Sequence, residues 1–190
     1  MKVVIVGGVA GGATAAARIR RLDEKAEIVV FERSGYISYA NCGLPYYIGD
    51  VITDVEELTL QTPESFYSRF RVDMRVHHEV TAIHPEKKTV SVKNLKTGKE
   101  FEESYDKLIL SPGAKPTQPR FSGTELDKVF TLRTVEDTLR IKKYINQNHP
   151  KSVVLAGGGF IGLELAENLR ELGMDVTIVQ NGKQLMNLFD

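Results

Sequence analysis

The sequence predicts an α/β protein in which a parallel sheet covered by helices carries an antiparallel β insertion. Two observations support this fold class. An apolar strand, a glycine-rich turn and a helix occur in that order twice, in VVIVGGVAGGATAAARIRRL and in VVLAGGGFIGLELAENLREL. Nearly continuous apolar strands followed by amphipathic helices indicate parallel strands buried on both faces. Between the copies, residues 72–85 and 88–114 alternate polar and apolar side chains, as antiparallel strands do.

The two copies are equivalent units, with their first glycines at Gly7 and Gly157, an offset of 157 − 7 = 150 residues. Each helix is followed by a second apolar strand, EIVVFE in the first copy and DVTIVQ in the second. Each copy is therefore a βαβ unit, and we expect two successive Rossmann-like domains, the second of them incomplete.

The first glycine turn reads Gly-Gly-Val-Ala-Gly-Gly over residues 7–12. Glycine lets a pyrophosphate approach backbone N–H groups at the N-terminus of a helix, where the helix dipole favours negative charge. Val9 departs from the simple G-x-G-x-x-G pattern. Glu32 closes the next strand, 32 − 12 = 20 residues after Gly12, where an acid binds a ribose hydroxyl. The turn therefore predicts a dinucleotide site.

The second glycine turn matches the pattern fully, with Gly157, Gly159 and Gly162. Gln180 takes the place of the acid, so this unit does not distinguish NADH from NADPH. The alternative, that the glycines only permit tight strand–helix packing, is disfavoured by two copies with matched flanks. Two dinucleotide sites in one chain predict a flavoenzyme that is reduced by a nicotinamide.

The remaining elements are predicted from local signals. TPESFYSRF indicates a helix capped by Thr62, and EDTLRIKKYINQNH a second helix. The proline-rich stretch at 114–120 predicts the domain seam, so the domains are expected at 1–115 and 116–190. His77 and His78 are expected side by side on one strand, on opposite faces, so no metal site is predicted.

Bulk composition excludes several functional classes. The chain has 190 residues, with 25 basic and 25 acidic side chains, which gives no general attraction to nucleic acid or anionic membranes. No apolar run approaches the roughly 20 residues of a membrane span. The single cysteine excludes an internal disulfide framework, so a reducing, cytoplasmic location is expected.

Five motifs occur in an order that resembles one family: VVIVGGVAGG with its acid, SYANCGLPYYIG, YDKLILSPGA, TLRTVEDT and AGGGFIGLELAENL. The chain resembles the pyridine nucleotide–disulfide oxidoreductases of the single-cysteine branch, which includes coenzyme A disulfide reductase, NADH oxidases, NADH peroxidase and persulfide reductases. The resemblance implies the N-terminal portion of a member: a first FAD-binding segment and the start of an NAD(P)-binding domain. It implies that full-length relatives are homodimers.

The resemblance also implies roles for individual residues. Contacts to FAD are expected from Gly7, Val9, Ala10, Gly11, Gly12, Glu32, Arg33, Asn41, Val80, Ser111, Pro112, Gly113 and Arg133. Contacts to NADH or NADPH are expected from Gly157, Gly159, Phe160, Ile161, Gly162, Glu164 and Gln180.

Cys42 is the predicted catalytic residue. Pro45 indicates a short helix in LPYYIGD, which places Cys42 at or just before a helix N-terminus, where a thiolate is stabilised. Two-cysteine relatives carry a C-x-x-x-x-C pair, but Tyr47 occupies the second position here. Cys42 is therefore expected to form a mixed disulfide, a persulfide or a sulfenic acid with a partner from outside. The alternative is an inert, small apolar side chain.

The resemblance also implies a class of substrate. Oxidases and peroxidases of this branch commonly carry a histidine at the position of Ala10, so a disulfide or persulfide substrate is favoured. Ser38 and Asn41 match the coenzyme A-contacting residues of S-x-x-N-C. Arg18 and Arg21, one turn apart, either face coenzyme A phosphates or form a solvated helix face. The function expected is therefore an FAD-dependent, NAD(P)H-driven reductase of coenzyme A disulfide or persulfide substrates. The two alternatives are an NADH oxidase that uses a cysteine sulfenic acid and an inactive nucleotide-binding fragment.

Overall fold

The computed structural model describes residues 1–117 and 122–186. Its helices, with a 3₁₀ turn at Asn41–Gly43, are α1 (Ala10–Leu22), α2 (Leu44–Ile48), α3 (Val55–Leu58), α4 (Pro63–Phe70), α5 (Val135–Asn148) and α6 (Phe160–Glu171). Its strands are β1 (Lys2–Val6), β2 (Glu27–Glu32), β3 (Ile37–Tyr39), β4 (Thr59–Gln61), β5 (Asp73–Val76), β6 (His78–His84), β7 (Thr89–Asn94), β8 (Glu100–Ser104), β9 (Lys107–Leu110), β10 (Ser152–Ala156) and β11 (Asp175–Val179). These elements confirm the predicted α/β class.

The described chain divides into two compact units. The first comprises Met1–Tyr39 and Thr59–Ala114, and the second comprises Ala40–Leu58 and Lys115–Asp190. Residues 40–58, which the sequence placed in the domain at 1–115, thus belong to the second unit. Part of the seam predicted at 114–120 lies outside the described residues. The assignment of one domain to FAD and one to a nicotinamide stays a prediction.

The first unit is built on a parallel sheet with the strand order β5-β2-β1-β9. The central strands β1 and β2 are buried along most of their length, as their apolar sequences predict. Alanines of α1 pack on one side of this sheet, against valine and isoleucine side chains. Phe31, on the other side, packs against Val90 and Val92 of the antiparallel sheet β6-β7-β8. The sheet therefore has cover on both faces.

Two strands predicted as antiparallel belong to the parallel sheet instead. β5 pairs parallel to β2, and β9 pairs parallel to β1. The prediction of His77 and His78 as neighbours on one strand was also wrong. His77 lies between β5 and β6 with φ +56°, a left-handed turn that separates the two sheets. Among residues 1–117 and 122–186, no three His, Cys, Asp or Glu side chains are placed to hold a metal.

The second unit contains the parallel pair β10–β11 with α6 as its crossover helix. Ile48 of α2 is fully buried and belongs to the same apolar cluster as Leu169 and Met174. α5 begins at a capping box, in which the Thr134 side chain accepts from the amide of Asp137 and the Asp137 carboxylate accepts from the amide of Thr134. No described helix is long and apolar enough to cross a membrane.

Candidate functional site

The first glycine turn begins where β1 ends. Gly7 has φ +95°, and its amide donates to the carbonyl of Phe31 at 2.8 Å. A Cβ added at Gly7 would lie 2.0 Å from the carbonyl oxygen of Ser111, so a side chain is excluded. Val9 has φ −92°, so no left-handed conformation requires glycine at this position. This explains why valine is tolerated where the simple pattern has glycine.

Glu32 holds this turn from the end of β2. Its side chain is buried, and its carboxylate accepts from the amides of Gly8 and Ser34, each at 2.8 Å. The sequence predicted the acid at this position but did not predict these two bonds. A carboxylate has about four lone-pair sites, so Glu32 retains acceptor capacity for a ribose hydroxyl. Its structural bonds and the predicted ribose contact are compatible.

The N-terminus of α1 has the features of an anion site. The helix starts at Ala10, with Ala10 and Gly11 exposed, and no side chain of the described residues caps it. Amides in the first turn of a helix have no intrahelical acceptor, and the dipole makes this end positive. A pyrophosphate would satisfy these donors, so the predicted FAD-binding turn fits the group.

Several predicted flavin residues lie close to this turn. Ser111 follows β9, its amide donates to the carbonyl of Val6 at 2.8 Å, and its Oγ lies 2.6 Å from a Cβ added at Gly11. A Cβ added at Gly12 would collide with the carbonyl of Gly7. Ser38, expected to contact substrate, donates its amide to the carbonyl of Gly8 at 3.0 Å.

Other predicted residues of the first unit occupy different places. Val80 is half-buried in β6 and packs against the core of the antiparallel sheet. Arg33 is exposed after β2, and Pro112 and Gly113 are exposed after β9. Arg18 and Arg21 are both exposed on α1. The roles expected for these residues stay predictions.

The cysteine segment is a helical run in the second unit. Cys42 is in the 3₁₀ turn Asn41–Gly43, directly before α2, and it is exposed. Pro45 is in the first turn of α2, as predicted, and both Leu44 and Pro45 are buried. The run therefore anchors its apolar residues inside the unit and leaves the thiol accessible, which is unlike an inert core cysteine.

Asn41, next to the cysteine, lies close to Arg133. The Nη1 atom of Arg133 is 3.5 Å from the Oδ1 atom of Asn41. The backbone amides of Arg133 and Thr134 both donate to the Asp137 carboxylate, each at 3.1 Å. Arg133 is thereby fixed at the start of α5, and the structure brings two predicted site residues together.

The second glycine turn repeats the geometry of the first. Gly157 has φ +114°, and its amide donates to the carbonyl of Val179 at 2.9 Å. The amide of Gly158 donates to the Oε1 atom of Gln180 at 3.0 Å, as Gly8 does to the acid of the first unit. A neutral amide thus replaces the carboxylate in the same structural bond. Gln180 has the position predicted for it.

The helix that follows this turn presents the other predicted nicotinamide residues. α6 has no side-chain cap among the described residues, and a Cβ added at Gly159 would meet nothing within 4 Å. A Cβ added at Gly162 would collide with the carbonyl of Gly157. Phe160 and Ile161 are about half exposed, whereas Glu164 is half-buried. The turn fits a second dinucleotide pyrophosphate.

Three comparisons with known proteins agree with these features. The chain is 47% identical over 189 residues to coenzyme A disulfide reductase from Staphylococcus aureus, covering 100% of this chain and 42% of that protein. It is 53% identical to reduced Bacillus anthracis CoADR-RHD, with a TM-score of 0.97, covering 100% of this chain and 34% of that one. It is 36% identical to a NAD-dependent persulfide reductase from A. fulgidus, with a TM-score of 0.94, covering 98% of this chain and 35% of that one.

The chain thus spans less than half the length of the relatives it matches. A profile of the pyridine nucleotide–disulphide oxidoreductases matches residues 1–190. The family profile covers every residue of this chain, and the chain contains the two glycine turns described above. The chain belongs to the pyridine nucleotide–disulphide oxidoreductase family.

Proposed function

We propose that the full-length protein carrying this chain is an FAD-dependent, NAD(P)H-driven reductase of coenzyme A disulfide or a related persulfide, with Cys42 as its redox-active residue. The observation that carries the proposal is the exposed thiol of Cys42, the single cysteine of the sequence, on a helical run with buried apolar residues. The similarity to a coenzyme A disulfide reductase supports the choice of substrate.

Two residue sets would hold the cofactors. Gly7, Gly12 and the start of α1, which no described side chain caps, would bind the pyrophosphate of FAD, and Glu32 its adenosine ribose. The second glycine turn would bind the pyrophosphate of the nicotinamide nucleotide. Gln180 would meet its ribose through a neutral amide, which leaves the choice between NADH and NADPH open. Bound FAD supplies two-electron transfer between the nicotinamide and a sulfur–sulfur bond.

The reaction consumes one disulfide and yields two thiols. The Cys42 thiolate attacks one sulfur of coenzyme A disulfide, which breaks the S–S bond and releases one coenzyme A thiolate. A mixed disulfide between Cys42 and the second coenzyme A remains. Two electrons from NAD(P)H and one proton cleave it, releasing the second thiol and restoring the Cys42 thiolate. The other released thiolate takes its proton from solvent.

No second cysteine within this chain resolves the mixed disulfide, because Tyr47 follows five residues after Cys42. In the proposed reaction, electrons reach the mixed disulfide without the help of a second cysteine from this chain. Asn41 directly precedes Cys42 in the 3₁₀ turn, and Arg133 lies within 3.5 Å of the Asn41 side-chain oxygen. We assign Asn41 to orienting the substrate near its sulfur, and Arg133, which is expected to contact FAD, to holding the Asn41 side chain. Arg18 and Arg21 supply positive charge on the surface of α1 for coenzyme A phosphates.

The proposal is tested by the variant Cys42→Ser in the full-length protein. We expect the variant to keep its flavin absorption and to lose reduction of coenzyme A disulfide, because serine cannot form the mixed disulfide. Turnover at the wild-type rate would contradict the role of Cys42. Oxygen consumption without disulfide, at a rate equal to disulfide reduction, would favour the NADH oxidase hypothesis. Absence of flavin in the wild-type protein would favour an inactive nucleotide-binding fragment.

A further inference from the structure

We propose that Lys142 of α5 is a positioning residue for Cys42, because it fastens the far end of the helical run that begins at the cysteine. The inference rests on the proposed role of Cys42. Lys142 is 100 residues away in sequence, since 142 − 42 = 100, so no local pattern links the two. The structure brings the lysine to the C-terminal end of α2.

The cysteine and the end of α2 belong to one continuous helical run. The amide of Gly43 donates to the carbonyl of Ala40 at 3.0 Å, and the amide of Leu44 donates to that of Asn41. At the other end, the amide of Gly49 donates to the carbonyl of Pro45 at 3.1 Å. Such a run is stiff over its length of about two turns. A shift at its C-terminal end is therefore transmitted to Cys42.

Lys142 binds this C-terminal end through two contacts. Its Nζ atom lies 2.8 Å from the carbonyl oxygen of Ile48 and 2.6 Å from the Oδ2 atom of Asp50. The Lys142 side chain is only 12% exposed, so its ammonium group depends on these acceptors. The last carbonyls of a helix have no intrahelical donor, and the dipole makes this end negative. A cation here holds the end of α2 against α5.

A second contact fixes the same end against α6. A Cβ added at Gly49 would lie 2.1 Å from the Oδ1 atom of Asn168, which is itself 2% exposed. Gly49 therefore permits a close approach of α2 to α6, and Ile48 fills the apolar cluster beside it. Lys142 of α5 and Asn168 of α6 both lie against the end of α2, so two helices of the second unit hold it.

Lys142 should contribute more to the position of Cys42 than to the stability of the second unit. Ile48 already buries its side chain fully, and Asp50 is 55% exposed, so the ion pair itself adds little to the free energy of unfolding. Thiol–disulfide exchange, in contrast, requires the attacking and accepting atoms in a narrow geometry. Loosening one end of the run should slow the reaction while the unit stays folded.

The test compares Lys142→Met with Lys143→Met in the full-length, flavin-containing protein. Lys143 is exposed on the same helix and serves as the matched control. For Lys142→Met we expect kcat for coenzyme A disulfide reduction to fall at least about tenfold, with KM much less changed. Amide hydrogen exchange in residues 44–50 should become about tenfold faster. Lys143→Met should stay within about twofold of wild type in both measurements.

Two further variants make the result decisive. Lys142→Arg keeps a cation at the site and should recover part of the lost rate. Asp50→Asn removes only the ion pair, at a surface position that does not endanger folding, and should reproduce part of the loss even if Lys142→Met folds poorly. A wild-type kcat in Lys142→Met or Asp50→Asn would overturn the inference. Retained turnover in Cys42→Ser would instead overturn the proposed function, so the two failures are distinguishable.

Discussion

Replacing Gly7 with alanine should destabilise the first unit by two separable effects. Gly7 has φ +95°, and an alanine in a left-handed conformation costs about 1–2 kcal/mol. The new Cβ would also lie 2.0 Å from the carbonyl oxygen of Ser111, which is backbone and cannot rotate away. Relieving such overpacking costs about 1–3 kcal/mol more. Together the two effects predict a loss of about 2–5 kcal/mol.

Gly98→Ala isolates the first effect. Gly98 also has positive φ, +73°, but a Cβ added there meets nothing within 4 Å. Gly98→Ala should therefore lower the free energy of unfolding by only about 1–2 kcal/mol. Urea unfolding of both variants, followed by circular dichroism, measures the difference, provided that the denaturant dependence is unchanged. If Gly7→Ala were no more destabilising than Gly98→Ala, the assignment of a close backbone approach at this turn would be wrong.

Three further predictions concern stability. Burial raises the pKa of Glu103, but hydrogen bonds from two basic side chains outweigh it and hold the pKa below its ordinary 4.5. The resulting stabilisation is present above the pKa that Glu103 has in the unfolded chain, and it is lost as the pH falls through the lower folded pKa. Glu103→Gln should therefore reduce the decrease in unfolding free energy that is measured as the pH is lowered. Thr134→Ala removes the α5 capping box and should lower the free energy of unfolding, measured by thermal unfolding, by about 0.5–2 kcal/mol, whereas Thr134→Ser should be nearly neutral. Gly49→Ala should cost about 1–3 kcal/mol by overpacking against α6, since φ −81° is itself unstrained; an unchanged unfolding midpoint would contradict that contact.

Local sequence signals predicted the elements with strong periodicity. The two βαβ units, the turn at Gly7, the acid at Glu32 and the cap at Thr62 lie where the sequence indicated. These features follow from residues close together in the chain. They are therefore visible in composition and spacing alone.

The features that the sequence missed depend on long-range packing. Alternation in β5 and β9 indicates a strand but does not say which partner it has, so both were assigned to the wrong sheet. Residues 40–58 lie in the second unit because Ile48 packs beside Leu169 and Met174, more than 100 residues later. Lys142 gave no sequence signal, since a single lysine on a helix is normally a surface residue.

In the proposed reaction, the Cys42 sulfur bonds covalently to its substrate. The most direct measurement reacts the full-length protein with coenzyme A disulfide in the absence of NAD(P)H, followed by peptide mass spectrometry. We expect one coenzyme A moiety on the peptide that contains Cys42, which NAD(P)H removes and which is absent in Cys42→Ser. An unmodified Cys42 peptide in a preparation that turns over coenzyme A disulfide would contradict this expectation.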